Sequence, residues 1–258
     1  MTAPQSTILF ALAGLNVTIP RLVIGIGVLM LIVELRRPGR SWPKVSGWWS
    51  RALLLNGCQV GCVYLAGFLW DDSMARHRLW SADSLGITGG ALTGYFTITF
   101  VYYWWHYWRH RSPFLWRWLH QVHHSPQRIE VITSFYKHPF ELVANGILSS
   151  AILYLVVGLG PVAASQAVLL SGIAELFYHW NVQTPYWLGF VIQRPESHCV
   201  HHQAELHYYN FADLPLWDML FGTFRNPKTW QERCGFAEKE SRLGEMLVGV
   251  DVNQTAKT

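Results

Sequence analysis

The sequence predicts an all-α fold, namely an integral membrane helical bundle of about four to five membrane-crossing helices. Composition is the first observation behind this prediction. Of the 258 residues, 51% are hydrophobic and only 14% are charged, whereas soluble domains carry about 25% charged residues. The second observation is a series of apolar runs close to the ~20 residues that a helix needs to cross hydrocarbon. These runs use up most of the chain, so we expect one membrane body rather than separate soluble domains.

The apolar runs set the order of the predicted helices. The first run, residues 7–35, has no signal-peptide cleavage pattern and is interrupted at Pro20, so a kinked or tilted span is expected. Four further runs are close to crossing length: residues 53–70, 85–105, 142–159 and 162–180. The last two are expected to form a hairpin turned at "GLGP".

Loop charge predicts the orientation of these helices, since Arg and Lys are retained on the cytoplasmic side. Five basic residues follow the first run: Arg36, Arg37, Arg40, Lys44 and Arg51. With that loop in the cytoplasm, alternate crossings bring the ends of the third and fifth runs back to the same face. His106 and His110 follow the third run and His179 closes the fifth. We therefore predict that histidines gather at the cytoplasmic face.

Charge and cysteine usage exclude some classes of function. The formal net charge of +4 does not indicate a nucleic-acid partner, because the basic residues lie in loops beside apolar spans, where anionic headgroups explain them. Cys58 and Cys62 lie among Gly57 and Gly61 in a GxxxG pattern, for which close helix packing is expected. The four cysteines imply no disulfide framework. We expect the polar tail from residue 228 onward to end in a disordered segment, "DVNQTAKT".

Histidine is the most informative residue type, because many of the 12 histidines stand in short boxes. "HYWRH" places His106 and His110 four residues apart, on one face of a helix. Two boxes share the spacing i, i+3, i+4: His120, His123 and His124 in "HQVHH", and His198, His201 and His202 in "HCVHH". Neutral imidazole is a common ligand for iron, zinc and copper. An interfacial aromatic is the alternative reading of any single histidine, but eight in three boxes at one membrane face predict a polyhistidine dimetal site.

The ordered boxes carry a family resemblance. "HYWRH", "HQVHH", "FYKHPFE", a histidine after a hydrophobic hairpin, "HCVHH" and "NFADLPLWDMLFGTF" resemble the fatty acid hydroxylase and sterol desaturase superfamily, from about residue 95 to 224. The resemblance implies a non-haem diiron membrane oxygenase, with a helical cap on the cytoplasmic side that holds a polyhistidine dimetal site and with its lipid substrate taken from the bilayer. We accordingly divide the chain into N-terminal transmembrane helices at 1–94, a catalytic region at 95–225 and a cytoplasmic C-terminal tail at 226–258.

A set of ten metal-ligating histidines is implied by the resemblance: His106, His110, His120, His123, His124, His138, His179, His198, His201 and His202. One position departs from the pattern, because Gln183 stands where some members have a second histidine after the hairpin. Either the glutamine oxygen binds metal weakly or through water, or His138 supplies the missing nitrogen. Since a proline follows His138, a polar helix cap is its other reading. Candidates for orienting the ligands are polar residues near the boxes: Glu175, Asn181, Gln183, Glu205, His207, Asn210, Asp213 and Asp218.

Hydroxylation of a lipid C–H bond is the function that the resemblance favours, with desaturation at the same metals as the alternative. A metal transporter or sensor without redox chemistry is disfavoured, because its ligands are expected at mid-membrane depth. The resemblance implies two iron ions, with dioxygen as co-substrate and zinc as a substitute in a purified sample. The chain shows no haem, flavin or nucleotide motif, so a separate electron-donor protein is expected.

The surroundings of the predicted site leave alternatives open. Four arginines either dock an acidic redox protein or meet phospholipid headgroups: Arg109, Arg111, Arg117 and Arg128. The aromatic stretch at 102–108 either lines a lipid tunnel or belongs to the interfacial belt and core. A bacterial inner membrane is the expected location, with the endoplasmic reticulum as the alternative. The pattern predicts neither the oligomeric state nor the lipid attacked.

Overall fold

The first apolar run is only partly helical. The structure, a computed structural model, describes residues 8–12, 15–230 and 233–253. Strands β1 (Ile8–Leu12) and β2 (Leu15–Thr18) pair antiparallel before helix α1, Ile19–Arg36. The expectation of one kinked span over 7–35 is therefore wrong for its first part, and residues 7, 13 and 14 lie outside the described residues. Proline is tolerated in the first turn of a helix but not in its interior, so α1 begins beside Pro20 instead of running through it.

Helices make up most of the remaining described chain. The longer ones are α2, Trp48–Arg76, and α3, Asp83–Arg111, then α5, Pro139–Val156, and α6, Pro161–Tyr178. Helix α4 lies between α3 and α5 and is built from Pro113–Leu115, a π-helical turn at Trp116–His120, and Gln121–His124. Three short helices follow: α7, Pro195–His201; α8, Pro215–Phe221; and α9, Leu243–Leu247.

Four of these helices, α2, α3, α5 and α6, are long and apolar enough to cross a membrane among the described residues. They overlap the four later runs predicted from the sequence, with two runs extending two or three residues past the helix end, so the helical membrane bundle is confirmed. Helix α1 has 18 residues, enough for a crossing by length, but carries Arg21, Glu34 and Arg36.

Prolines and glycines fix where the helices begin and turn. Five helices have proline at the first position, where its missing N–H has no intrahelical partner to lose: Pro113, Pro139, Pro161, Pro195 and Pro215. The turn between α5 and α6 needs a glycine, because Gly158 has φ +73° and a Cβ there would lie 2.3 Å from the carbonyl oxygen of Trp80. The predicted hairpin is thus confirmed.

Close packing of the membrane helices occurs at α3 and α6, and the GxxxG pattern of α2 takes no part in it. A Cβ at Gly94 on α3 would lie 2.7 Å from Leu159 and 3.2 Å from Ala167. On α2, a Cβ at Gly57 or Gly61 would meet no atom of the described residues within 4 Å. The expectation that these two glycines mediate close packing is therefore wrong.

The C-terminal segment is part of the hydrophobic core at the end of the bundle formed by α4 and the first turns of α2, which is called the cap below. Phe236, Leu243, Met246 and Val252 are buried in one cluster with the first turns of α2 and with α4. The prediction of a polar tail fails here, because apolar residues spaced between the charged ones bury together. Of "DVNQTAKT", Val252 is buried, and residues 254–258 lie outside the described residues.

Candidate metal centre

Nine of the twelve histidines converge at one end of the bundle. Within the described part of the chain they form two groups whose ligand atoms lie within 4.8 Å of one another. The five-histidine group consists of His106, His110, His120, His124 and His201. The four-histidine group consists of His123, His179, His198 and His202. Counting alternate crossings predicted that these residues lie at one end of the bundle, and the geometry agrees. The membrane face at which that end lies stays a prediction.

Each HxxHH box serves both groups. Its first and last histidines point into one group, and the histidine at i+3 points into the other: His123 joins the four-histidine group and His201 the five-histidine group. A helix turns about 100° per residue, so positions i and i+4 lie on nearly the same face while i+3 and i+4 diverge. Since the two boxes have the same spacing, they exchange one ligand each. The groups adjoin where the rings of His124 and His202 stack with centroids 4.4 Å apart.

Backbone carbonyls set the protonation of several imidazoles. Four rings donate Nδ1–H to a carbonyl oxygen: His106 to Phe211 (2.7 Å), His201 to Tyr209 (2.8 Å), His179 to Glu175 (2.9 Å) and His123 to Tyr136 (3.3 Å). A neutral imidazole that donates from Nδ1 carries its lone pair on Nε2. These contacts therefore aim four lone pairs into the groups, as outer contacts of metal-bound histidines do.

Ring nitrogens of different histidines face each other at short range, which tests whether the residues fit a metal. The Nε2 atoms of His106 and His120 lie 2.9 Å apart, and those of His179 and His198 lie 3.1 Å apart. Both ring nitrogens of His110 are buried without a protein partner. Two acceptors at such a distance repel unless a cation lies between them. The donor set, neutral and all-nitrogen, fits a transition-metal ion in each group.

Burial keeps these imidazoles neutral and competent to bind metal. Loss of hydration of the charged form lowers the pKa of His179 and of His201 to about 3. The same cause, followed by repulsion from neighbouring histidines or Arg109, places the pKa of His120 and His123 well below the ordinary value. At neutral pH no proton competes with a metal ion for these nitrogens.

We expect the metal-free protein to lose stability as the pH falls below about 6.5. The folded-state pKa of these histidines lies below the unfolded value, so the unfolded chain binds more protons between the two values and stability rises with pH across that window. The melting temperature in detergent and chelator should be level between pH 7 and 8 and fall by more than about 5 °C towards pH 5. A melting temperature that stayed level to pH 5 would contradict the buried, neutral state.

A carboxylate and an arginine that the sequence analysis did not assign to the ligands support the five-histidine group. Glu141 is buried, accepts a hydrogen bond from His120 Nδ1 (3.0 Å) and forms an ion pair with Arg109. Arg109 is only 4% exposed, so its predicted role in docking a redox protein or headgroups is wrong. The signal was present in "HPFE", since a carboxylate at the start of an apolar span is costly to bury unpaired.

The polar residues expected to orient the histidines do not bond to the imidazole rings through their side chains in the three cases below. The carboxylate of Glu175 pairs with Lys137, and its carbonyl oxygen, not its side chain, holds His179. Asn181 binds the backbone of Arg40 through its side chain, with Nδ2 2.8 Å from the carbonyl oxygen. Asp218 accepts the backbone N–H of Phe211 (2.8 Å) and so steadies the carbonyl that holds His106.

Three candidates lie outside both groups. His138 caps helix α5, with Nδ1 accepting the backbone N–H of Phe140 at 3.0 Å, which is the second of the two readings of this residue. Gln183 is exposed, because α6 ends at Tyr178 and the spacing of four no longer places two residues on one helix face. His207 lies beside the five-histidine group, with its ring centroid 5.0 Å from that of His124. Burial lowers its pKa to about 4.

A cavity of about 550 Å³ joins the two groups to the membrane helices. Its lining includes His106 and His120 from one group and His123 and His198 from the other. From there it follows α2 and α5 to Asp71 and Ser150 near their far ends. Of the aromatic stretch at 102–108, only Tyr102 and His106 line the cavity. Tyr103, Trp104 and Tyr107 pack instead in an aromatic core cluster beside the cavity.

Comparison with known proteins agrees with this arrangement. The sequence profile described as fatty acid hydroxylase matches residues 91–223, which is 133 of the 258 residues. The chain belongs to the fatty acid hydroxylase family. The matched region encloses all nine converging histidines, and the superfamily resemblance drawn from the boxes is confirmed. Members of this family are oxygenase-type and other oxidoreductase enzymes.

Curated relatives of this family member differ in the reactions that their names describe. A very-long-chain aldehyde decarbonylase from Oryza sativa subsp. indica is 27% identical over 122 residues, covering 46% of this chain and 47% of the relative. A sphinganine C4-monooxygenase from Arabidopsis thaliana is 26% identical over 126 residues, 47% of this chain and 48% of the relative. A cholesterol 25-hydroxylase-like protein from Caenorhabditis briggsae is 42% identical over 43 residues, 17% of this chain and 14% of the relative.

The chain spans about half the length of the first two relatives. No solved structure matches the chain.

Proposed function

We propose that this chain is a membrane-bound non-haem diiron oxygenase that hydroxylates a C–H bond of a lipid, with dioxygen and external electrons as co-reactants. One observation carries the proposal: a cavity among membrane-crossing helices ends at both histidine groups. A site for metal storage or transport does not require an apolar chamber beside its ligands. A hydrocarbon substrate does require one, because its reacting carbon has to lie next to the metals.

The five-histidine group would hold one iron ion and the four-histidine group the other. Iron bound there supplies the activation of dioxygen and the oxidation of an unactivated C–H bond. The protein contributes the geometry of the ligands: Glu141 fixes the proton of His120 on Nδ1, and the carbonyls of Phe211 and Glu175 do the same for His106 and His179. Apolar walls, including Ile98 and Leu142, bind the chain and exclude water from the reacting carbon.

Electrons would come from a separate protein docked at the outer face of the cap. A cleft of about 290 Å³ there is lined by Arg111, Trp116, His207 and His110. The ring of Trp116 lies 5.4 Å from those of both His110 and His124, which places an aromatic side chain between the cleft and the five-histidine group. Arg111 is exposed and Asp251 also lines the cleft, and we propose a one-electron carrier as the partner at this surface. We place this cap and the C-terminus in the cytoplasm, at a bacterial inner membrane.

The decisive experiment compares whole-membrane lipids from cells that express the intact chain or the His123→Ala variant. His123 belongs to the four-histidine group and also lines the cavity, so its loss should remove iron and product while membrane insertion persists. A lipid that gains one oxygen indicates hydroxylation, and one that loses two hydrogens indicates desaturation at the same site.

His77→Ala is the matched control, since His77 is exposed and lies outside both groups. It should retain both iron and product. Equal product from the intact chain and His123→Ala would refute the oxygenase proposal. Iron bound without any change in the lipids would point to a metal-binding protein without redox chemistry.

A further inference from the structure

The cavity has a side that faces the surrounding lipid. Helices α1 and α2 both line it, and the lining side chains with the largest exposed fractions belong to these two helices: Ile24 (46%), Val28 (49%) and Leu53 (62%). Val63 on α2 (38%) and Val168 on α6, the neighbour of α1 (37%), also line the cavity and are less exposed. A side chain that is exposed outside and lines the chamber inside stands at an opening. The opening therefore lies between α1 and α2, in the apolar belt of the bundle.

Helices α1 and α2 pack against different neighbouring helices, which explains why a gap is left between them. Helix α1 packs on α6, where Trp180 Nε1 donates to the carbonyl of Met30 at 2.9 Å. Helix α2 packs on α5, where a Cβ at Gly146 would lie 3.1 Å from Trp70. The two partner helices form the far wall of the cavity, so α1 and α2 stand on either side of its mouth.

The end of the opening nearest the histidines is closed by the 3₁₀ turn Val131–Thr133. Glu34 on α1 accepts the backbone N–H of Val131 at 2.9 Å, and Asn56 on α2 donates to the carbonyl of Ile132 at 2.9 Å. One turn of backbone is thus held from both helices. This turn closes the opening on the side of the histidine groups.

Gly57 lies on this edge of α2, and its small size is not explained by packing. It lines the cavity, is exposed, and has open space where a Cβ would point. Gly61 is also exposed and also has open space, but does not line the cavity. The two glycines of the GxxxG pattern therefore differ in one respect only, which is whether a side chain there would stand in the opening.

We infer that the gap between α1 and α2 is the port through which a hydrocarbon chain of a bilayer lipid passes sideways into the cavity, and that the absence of a large side chain at Gly57 keeps it open. The role of the port in substrate entry rests on the proposed function, whereas its location rests on the geometry of α1 and α2.

The test uses the full chain in phosphatidylcholine vesicles that contain a diazirine-bearing fatty acid. Ile98 and Leu142 are buried and line the cavity, so photo-adducts on them report a chain inside it and not lipid on the outer surface. Gly57→Trp should reduce these adducts about tenfold or more, Gly57→Ala should leave them unchanged, and Gly61→Trp should stay within about twofold of the original chain.

Product formation by the same variants in whole cells, where an electron donor is present, is the second measurement. Adducts lost equally in Gly57→Trp and Gly61→Trp, kept equally in both, or absent from the original chain would overturn the port. If the original chain forms no product while its adducts follow the expected order, the proposed function fails and the port stands. Unchanged metal content in both tryptophan variants shows that neither has disturbed the histidine groups.

Discussion

Replacing His120 with alanine should strip metal from the five-histidine group and lower product formation by more than about 100-fold. His120 is the most connected imidazole of the site: its Nε2 lies 2.9 Å from that of His106 and 3.2 Å from that of His124, while its Nδ1 bonds to Glu141. Removing it deletes a ligand and leaves the buried carboxylate with one partner fewer. Metal content by mass spectrometry and lipid product measured on the same preparation check the result.

His138→Ala is the informative control, because the family resemblance put both histidines in the ligand set. In the structure His138 caps α5 and belongs to neither group. Its replacement should keep both metals and most of the product, and should lower the stability of the protein by about 1 kcal/mol, the usual cost of losing a helix cap. Loss of metal from His138→Ala to the same extent as from His120→Ala would show that the groups are drawn wrongly.

Glu141→Ala should be the most destabilising single change in the cap. It leaves the guanidinium of Arg109 buried and unpaired, and breaking a buried ion pair from one side costs about 3–5 kcal/mol. It also frees the ring of His120 to rotate, so metal affinity should fall by about 10- to 100-fold. Thermal unfolding in detergent and equilibrium metal binding measure the two effects separately.

A double variant, Arg109→Met with Glu141→Leu, separates the charge from the hydrogen bond to histidine. Replacing both partners with apolar residues of similar size is often neutral for stability, so the melting temperature should recover. Metal affinity should remain low, since His120 still lacks its acceptor. Recovery of both properties would mean that the carboxylate acts only on folding.

The histidine boxes were predictable because metal ligation imposes spacing and residue type together. Two boxes with the same histidine spacing, at 120–124 and 198–202, have few explanations other than metal binding. Alternating membrane crossings also bring the ends of α3 and α6 to one side of the bundle. Apolar length likewise predicted α2, α3, α5 and α6. These features depend on local sequence and on chain direction, which are visible without coordinates.

The features that escaped prediction depend on contacts between distant segments. Glu141 is an ordinary acidic residue until Arg109 and His120 are placed around it. Gln183 appeared to complete a helical pair because the end of α6 at Tyr178 is not marked by a proline or glycine. The GxxxG pattern of α2 indicated a helix interface, whereas its residues face open space. A sequence pattern indicates which residues share a helix face, but it does not indicate what packs against that face.

The exchange of His123 and His201 between the two boxes affects how the site is assembled. Each box supplies two histidines to one group and one histidine to the other, so neither group is complete until both boxes are docked. Loading should therefore be cooperative, with singly loaded protein scarce during titration with ferrous iron. A cell that runs short of iron would then contain a mixture of fully charged and empty enzyme, and few half-filled molecules able to start an oxidation that they cannot finish.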